Sequence, residues 1–266
     1  MAKPPRILVI AGSDSSGGAG IQADIKTITM LSGYAMTAIT AVTAQNSLGV
    51  QAVEPMPAEL VHKQIRSCIE DIGVDAIKIG MLHNKEVIEA VADALMDTDP
   101  DIVFDPVMVA TSGDPLIAPD AVQAIKDHIY GCSTVMTPNL PELGMLLGRE
   151  VTGADQMLEA ASELGQRAFA DIVAKGGHAE GETVVDMLVD YSGKLIAQFE
   201  HERIDTPHTH GTGCTLSSAI ATLLGHGLMI KDAARIGRKF VLEAIKNAPG
   251  YGQGHGPLGH QAVRKV

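Results

Sequence analysis

The chain has 266 residues, a formal charge of −12, no tryptophan and only 3% aromatic residues. That combination excludes a single-stranded nucleic-acid binder, which needs stacking platforms in a basic groove, and no apolar run reaches the length of a membrane span. The length suffices for one large core, and three scattered cysteines (Cys68, Cys132, Cys214) without a CxxC pair suit a reducing cytoplasm.

Strand-like and helix-like segments alternate along the chain. Residues 7–11 form a short apolar run ending at Gly12, as expected for a buried parallel strand. Residues 21–31 carry a helical pattern, with Gly33 in position to end it. A β-rich run at 37–43 follows. Pro57 then introduces a helix in which Val61, Ile65, Cys68, Ile69 and Ile72 recur at helical spacing. Residues 76–80 read as a strand, 86–95 as a helix, and 102–105 as a strand stopped by Pro106. A helix at 120–129, a strand at 134–137, helices around 142–147 and 155–168 and a strand at 172–174 continue the alternation. Residues 184–189 and 194–199 flank a turn-like Asp190-Tyr191-Ser192-Gly193 and predict a β-hairpin. Two helices, at 215–224 and 231–246, close the pattern, and a Gly/His-rich tail over 249–266 is expected to be mobile.

Repeated strand–helix units imply one α/β domain over residues 1–248, with a mainly parallel sheet and helices on both faces. Ligands of such sheets sit beyond the carboxyl ends of the strands. Polar and glycine-rich clusters follow strand after strand here: residues 12–20, Gln45-Asn46, Gly80-Met81, residues 105–113, residues 138–142, Lys175-Gly176-Gly177 and residues 211–214.

Gly211-Thr212-Gly213-Cys214-Thr215 opens a helix with a glycine-rich turn. Such a turn aims backbone N–H groups and the positive end of the helix dipole at one spot, which suits phosphate. A thiol there is expected to have its pKa lowered and to act as a base, although a lone cysteine is more often a small buried apolar residue. Gly18-Ala19-Gly20-Ile21-Gln22-Ala23 fits the loose dinucleotide fingerprint, but no Asp or Glu occurs between Asp24 and Glu54 to hold a ribose. No P-loop motif is present. Lys175-Gly176-Gly177 supplies a point charge beside bare backbone. Asn139-Leu140-Pro141-Glu142 follows a strand, where a carboxylate can reach a magnesium shell or simply cap a helix. His208 and His210 read as loop residues near the phosphate site.

Taken together, Ala11-Gly12-Ser13-Asp14-Ser15-Ser16-Gly17-Gly18-Ala19-Gly20-Ile21-Gln22-Ala23-Asp24, Thr43-Ala44-Gln45-Asn46, Lys78-Ile79-Gly80-Met81-Leu82, Asp105-Pro106-Val107-Met108, Ser112-Gly113-Asp114-Pro115-Leu116, Thr137-Pro138-Asn139-Leu140-Pro141-Glu142, Lys175-Gly176-Gly177-His178 and His210-Gly211-Thr212-Gly213-Cys214-Thr215 resemble the bacterial hydroxymethylpyrimidine/phosphomethylpyrimidine kinases of thiamine biosynthesis. The resemblance runs in family order from residue 6 to about residue 245. It implies a three-layer α/β/α ribokinase-like fold, a homodimer, and two successive phosphoryl transfers from ATP, first to 4-amino-5-hydroxymethyl-2-methylpyrimidine and then to its monophosphate. It also implies the residue roles. Gln45 and Asp24 would read polar edges of the pyrimidine, Met81 and Val107 would sandwich it, and Gly12 would let it approach the backbone. Asp105, Asn139 and Glu142 would organise Mg²⁺ and the ATP phosphates, with Asp105 and Glu142 as metal ligands, and Lys175 would contact those phosphates. Gly211, Thr212 and Gly213 would form the anion hole, with Cys214 facing the substrate hydroxyl. Sugar kinases of this fold usually carry Asp where Cys214 stands. A monovalent-cation requirement and the adenine contacts, expected around residues 199–209 and the last two helices, stay open. Pyridoxal kinase, of the same superfamily, is the alternative.

Overall fold

The computed structural model describes residues 3–110, 113, 116–118, 120–179 and 181–263. Ser112, Asp114 and Pro115, which belong to one of the motifs, lie outside the described residues.

Among the described residues, nine strands form one sheet in the order β3-β2-β1-β4-β5-β6-β7-β8-β9. They are β1 (Arg6–Asp14), β2 (Tyr34–Asn46), β3 (Gly49–Pro55), β4 (Ala76–Ile79), β5 (Asp101–Phe104), β6 (Val135–Met136), β7 (Asp171–Ala174), β8 (Thr183–Val189) and β9 (Leu195–Glu202). Pairings from β2 through β7 are parallel, while β3 and β8 join antiparallel and β9 completes the predicted hairpin. The helices are α1 (Gly20–Met30), α2 (Ala58–Ser67), α3 (Lys85–Leu95), α4 (Ala121–Ala124), α5 (Leu140–Leu147), α6 (Gly153–Ala168), α7 (Thr212–Gly225) and α8 (Ile230–Lys246).

Alternation of side chains along the strands builds two cores. Leu8, Ile10, Ile77, Ile79 and Phe104 face the layer of α2 to α6, whereas Ile7, Val9, Ala76 and Val103 face α1, α7 and α8. The result is the three-layer α/β/α arrangement, and the carboxyl ends of the parallel strands deliver their loops to one edge of the sheet.

Three local expectations change. Strand β3 was not foreseen from the sequence; it is an edge strand with no buried residue, so it lacks the inward apolar alternation that betrays a strand. After α1 the left-handed residue is Ser32 (φ 64°), not Gly33; Gly33 instead closes the turn through its N–H to the Ile28 carbonyl, where a side chain would meet Ile28 itself. The tail expected to be mobile is packed in its described part. Leu258 and Val263 are buried against Phe240 and Ala244 of α8, and His260 Nε2 lies 2.8 Å from Thr215 Oγ1 on α7. The apolar residues that anchor the tail are spaced too widely among glycines to show a period.

Candidate active site

Three loops bring charge together beyond β5, β6 and β7. Asp105 follows β5 and is buried; its Oδ1 accepts hydrogen bonds from Lys175 Nζ at 2.8 Å and Thr137 Oγ1 at 3.0 Å. Lys175 follows β7 and also lies 3.6 Å from Glu142 Oε2. Asn139 and Glu142 form a reciprocal cap on α5, with the Glu142 N–H donating to Asn139 Oδ1 at 2.9 Å and the Asn139 N–H donating to Glu142 Oε2 at 2.8 Å. The capping reading of this motif therefore holds, and the cap places the carboxylate beside Lys175.

Burial opposes every charge in this cluster, and the partners decide the outcome. Burial works to raise the Asp105 carboxyl, but Lys175 and then Lys78 hold it below its ordinary value. Burial works to lower the Lys175 ammonium, but Asp105 and Glu142 hold it above. Glu142 goes the other way: burial, with Asp105 adding to it, raises it to about 7 against the pull of Lys175. Two carboxylates converging on one cation are a donor set that fits Mg²⁺, which takes one or two carboxylates and fills its shell with phosphate oxygens and water.

Gly211 caps α7 with φ 89°, a conformation that disfavours any side chain, and a Cβ there would also run into the Gly18 carbonyl. The first βα loop and the turn before α7 are thus in backbone contact. Thr212, Gly213 and Cys214 form the first turn, whose N–H groups are those an α-helix leaves without intrahelical partners. A Cβ on Gly213 would lie 3.2 Å from Lys175 Nζ and 3.3 Å from Asp105 Oδ2. The glycine turn and the charged cluster form one place.

Cys214 corrects an expectation. Its thiol is buried and pushed up to about 11, not lowered. Burial is the largest cause, and the Asp24 and Asp105 carboxylates add to it. Lys78 pulls the other way but does not win. Position at a helix N-terminus lowers a thiol pKa only where desolvation and neighbouring carboxylates do not exceed the dipole.

At the other end of the cleft, a Cβ on Gly12 would run into the Met81 methyl. Met81 shares a small apolar cluster with Ala41 and Leu116, and Val107 packs against it. Gln45 Nε2 lies 3.4 Å from His210 Nε2. His210 Nε2 is in turn 3.0 Å from Asp14 Oδ2, an oxygen that also accepts from the Gly18 and Ala19 N–H groups. Asp14 stays far below the usual carboxylate range: burial would raise it, but hydrogen bonds from His210, Ala19 and Ser16 prevail. This Asp14–His210 link between the first loop and the turn before α7 was missed in the sequence, where His210 showed only its proximity to glycines.

Asp24 is placed differently from a residue reading a ring edge. It has no exposed surface; Oδ2 accepts from Lys78 Nζ at 3.0 Å and Oδ1 from Ser218 Oγ at 2.6 Å. Both oxygens are taken because the apolar β4 strand carries Lys78 inward, and an ammonium without solvent needs a carboxylate.

The tail supplies one wall. The N–H groups of Gln253 and Gly254 donate to Ser47 Oγ at 3.1 and 3.3 Å, and the His255 N–H donates to the Ser47 carbonyl at 2.8 Å. Gln45, Asn46, Ser47, Ala110, His210 and His255 consequently line one small cavity.

The family model described as phosphomethylpyrimidine kinase matches residues 14–259. A hydroxymethylpyrimidine/phosphomethylpyrimidine kinase of Bacillus subtilis is 42% identical over 262 residues, covering 98% of this chain and 96% of the relative. The crystal structure of an ADP complex of Bacillus subtilis pyridoxal kinase superposes with a TM-score of 0.89 at 38% identity, over 98% of this chain and 99% of that one. A phosphomethylpyrimidine kinase from Clostridium difficile superposes at 0.79, again at 38% identity, over 91% and 99%.

Proposed function

Given that the chain belongs to the phosphomethylpyrimidine kinase family, and is a phosphotransferase of that kind, we propose that its cleft phosphorylates 4-amino-5-hydroxymethyl-2-methylpyrimidine twice, giving the monophosphate and then the pyrophosphate. The observation that carries this reading is the Lys175 ammonium, clamped between Asp105 and Glu142 and set against Gly213 at the mouth of α7. A cation beside a helix N-terminus is suited to a migrating phosphoryl group, whose transfer depends on positioning and charge stabilisation more than on covalent chemistry.

In this reading Gly211, Thr212 and Gly213 receive the transferred phosphoryl oxygens, and Lys175 balances the charge that develops on them. Asp105 and Glu142, with Asn139 orienting Glu142, are the residues that would hold Mg²⁺; when bound, the ion neutralises phosphate charge. Gly12, Met81 and Val107 accept the flat ring, and Gln45, oriented beside His210, reads its polar edge. Asp24 acts from beneath the site. Cys214 takes the proton of the substrate hydroxyl in the first transfer. A thiol held near 11 is a reluctant base, so first-step turnover should climb with pH.

Mass spectrometry of products from ATP, Mg²⁺ and the pyrimidine alcohol tests the reading: mono- and then pyrophosphate are expected. The structural likeness to a pyridoxal kinase favours a second reading, in which the cleft also accepts pyridoxal. Brisk pyridoxal turnover with pyrimidine monophosphate alone would replace the first reading with the second. A homodimer in the cytoplasm accompanies both. Among the described residues no helix is long and apolar enough to cross a membrane.

A further inference from the structure

Asp186 is the one charged residue of β8, and it is buried. Arg238 is the one charged residue on the buried face of α8, among Ala234, Gly237 and Phe240. The two meet: Arg238 Nε donates to Asp186 Oδ2 at 2.6 Å. A buried pair of this kind is weak evidence for stability, because apolar residues of the same volume often serve as well. Its place in the fold is better explained by what the other carboxylate oxygen holds.

Asp186 Oδ1 accepts from the Gly176 N–H at 2.8 Å. That N–H belongs to the peptide joining Lys175 to Gly176. The peptide on the other side of Lys175 is pinned as well. The Lys175 N–H donates to the Pro138 carbonyl at 2.9 Å, and a parallel bridge pairs Lys175 with Asn139 beyond the end of β6. With both flanking peptide planes fixed, the direction in which the Lys175 side chain leaves the backbone is set. Gly176 lets β8 come this close, since a Cβ there would run into the Val185 carbonyl. Arg238 is held in turn. One terminal nitrogen donates to His201 Nδ1 at 2.9 Å and to the Phe199 carbonyl at 3.3 Å, and its guanidinium carbon lies 5.1 Å from the centre of the Phe199 ring. A chain of contacts thus runs from β9 and α8 through Asp186 to the backbone of Lys175.

We propose that Asp186, held by Arg238, is a positioning residue that aims the Lys175 ammonium at the migrating phosphoryl group. The inference rests on the reading of Lys175 as a phosphate contact. Lys175 carries its charge on a flexible four-carbon stem, and that charge sits between Asp105 and Glu142 beside Gly213. A tilt of the backbone grows along the stem before it reaches the ammonium. A misplacement of about 1 Å in such a group can cost about 10²-fold in rate. Asp186 acts on the peptide, and the peptide on the ammonium.

The test is a double-variant cycle on the full-length protein, with kcat and KM for each transfer followed by labelled ATP so that slow variants are still read. Asp186→Asn keeps the shape but offers one oxygen to two donors, so either Arg238 or Gly176 loses its acceptor. It should lower kcat of both transfers by about 10–100-fold and leave KM for the pyrimidine alcohol within about twofold. In Lys175→Ala the same substitution should change kcat by less than about twofold, because no ammonium is left to aim. A loss that persists beyond about twofold in Lys175→Ala, as a general loosening of the fold would give, overturns the proposal. So does a parental kcat in Asp186→Asn alone, or a defect confined to KM. If Asp186→Asn does not fold, Arg238→Gln, which removes the charge that holds Asp186, enters the same cycle and is judged by the same outcomes. The reading beneath it fails separately, if Lys175→Ala by itself transfers both phosphoryl groups at the parental rate.

Discussion

Gly211 and Gly227 have nearly the same backbone, φ 89° and 83°, and very different surroundings. A Cβ on Gly227, in the turn between α7 and α8, would meet nothing within 4 Å, whereas one on Gly211 would collide with the Gly18 carbonyl. Replacing each by alanine separates backbone strain from displacement. Left-handed strain alone costs about 1–2 kcal/mol, so Gly227→Ala should lose that much stability and keep its turnover. Gly211→Ala should lose the same amount and, in addition, push the first loop from the α7 turn. In the proposed reading, a loop displaced by a fraction of an ångström carries the N–H groups of the α7 turn off the transferred oxygens. Removing one such donor costs about 10²–10³-fold in turnover, or roughly 3–4 kcal/mol of transition-state stabilisation. Urea unfolding of both variants, with kcat for each phosphoryl transfer, makes the comparison. Parental phosphate transfer by Gly211→Ala, or an equal loss of activity in Gly227→Ala, would refute displacement as the cause.

Four further outcomes can be checked. Cys214→Ala should slow the first transfer by about 10²–10⁴-fold and spare the second, whose acceptor is a phosphate oxygen largely ionised at neutral pH; equal losses in separate assays of the two steps would remove the base role. Lys175→Ala should slow both transfers, since charge builds on the phosphoryl group in each, and a single-step defect in the same assays would contradict that. His260 is buried with its pKa lowered to about 4, chiefly by burial and then by Lys26; an unfolded chain with an ordinary histidine binds the proton first, so stability should fall as pH drops from about 6.5 to 4, by up to roughly 3 kcal/mol. His260→Gln should flatten that part of a melting-temperature profile, and an unflattened profile would clear His260 of the effect. Ser47→Ala should free the tail's hold beside Gln45 and raise KM for the pyrimidine alcohol more than it lowers kcat; a pure kcat defect would show that the wall does not shape the ring site.

The sheet with helices on both faces was legible because buried parallel strands are short apolar runs stopped by glycine or proline, as at Gly12 and Pro106. The charged cluster was legible residue by residue, but not as a cluster: nothing in the spacing of Asp105, Glu142 and Lys175 says that one ammonium sits between two carboxylates. Sequence position carried the wrong sign for Cys214. A helix N-terminus is a local feature that can be read from Gly-Thr-Gly, whereas desolvation and the Asp24 carboxylate arrive from other parts of the chain. Lys78 gave one signal, a lysine inside an apolar strand, which a solvated edge strand would also give. The tail gave none, because its anchors are single residues separated by glycines.

The net charge of −12 makes these buried cations more consequential. A protein that repels anions overall must bind nucleotide phosphate with local positive charge, and surface lysines in water do this weakly because solvent and salt screen them. Lys175 and Lys78 sit where screening is smallest, and each is held charged by carboxylates that were ionised before any phosphate arrived. That arrangement has a cost, since the same carboxylates oppose an incoming anion. Glu142 shows how the cost is limited. Its carboxyl, raised to about 7, is only partly ionised at neutral pH, so the cluster around Lys175 carries less negative charge than its residue count suggests. In the proposed reading one cation, Lys175, and a helix N-terminus then meet the phosphates against Asp105 and a fraction of Glu142, with the Lys78–Asp24 pair buried beneath them, which is the local balance that a chain of this overall charge requires.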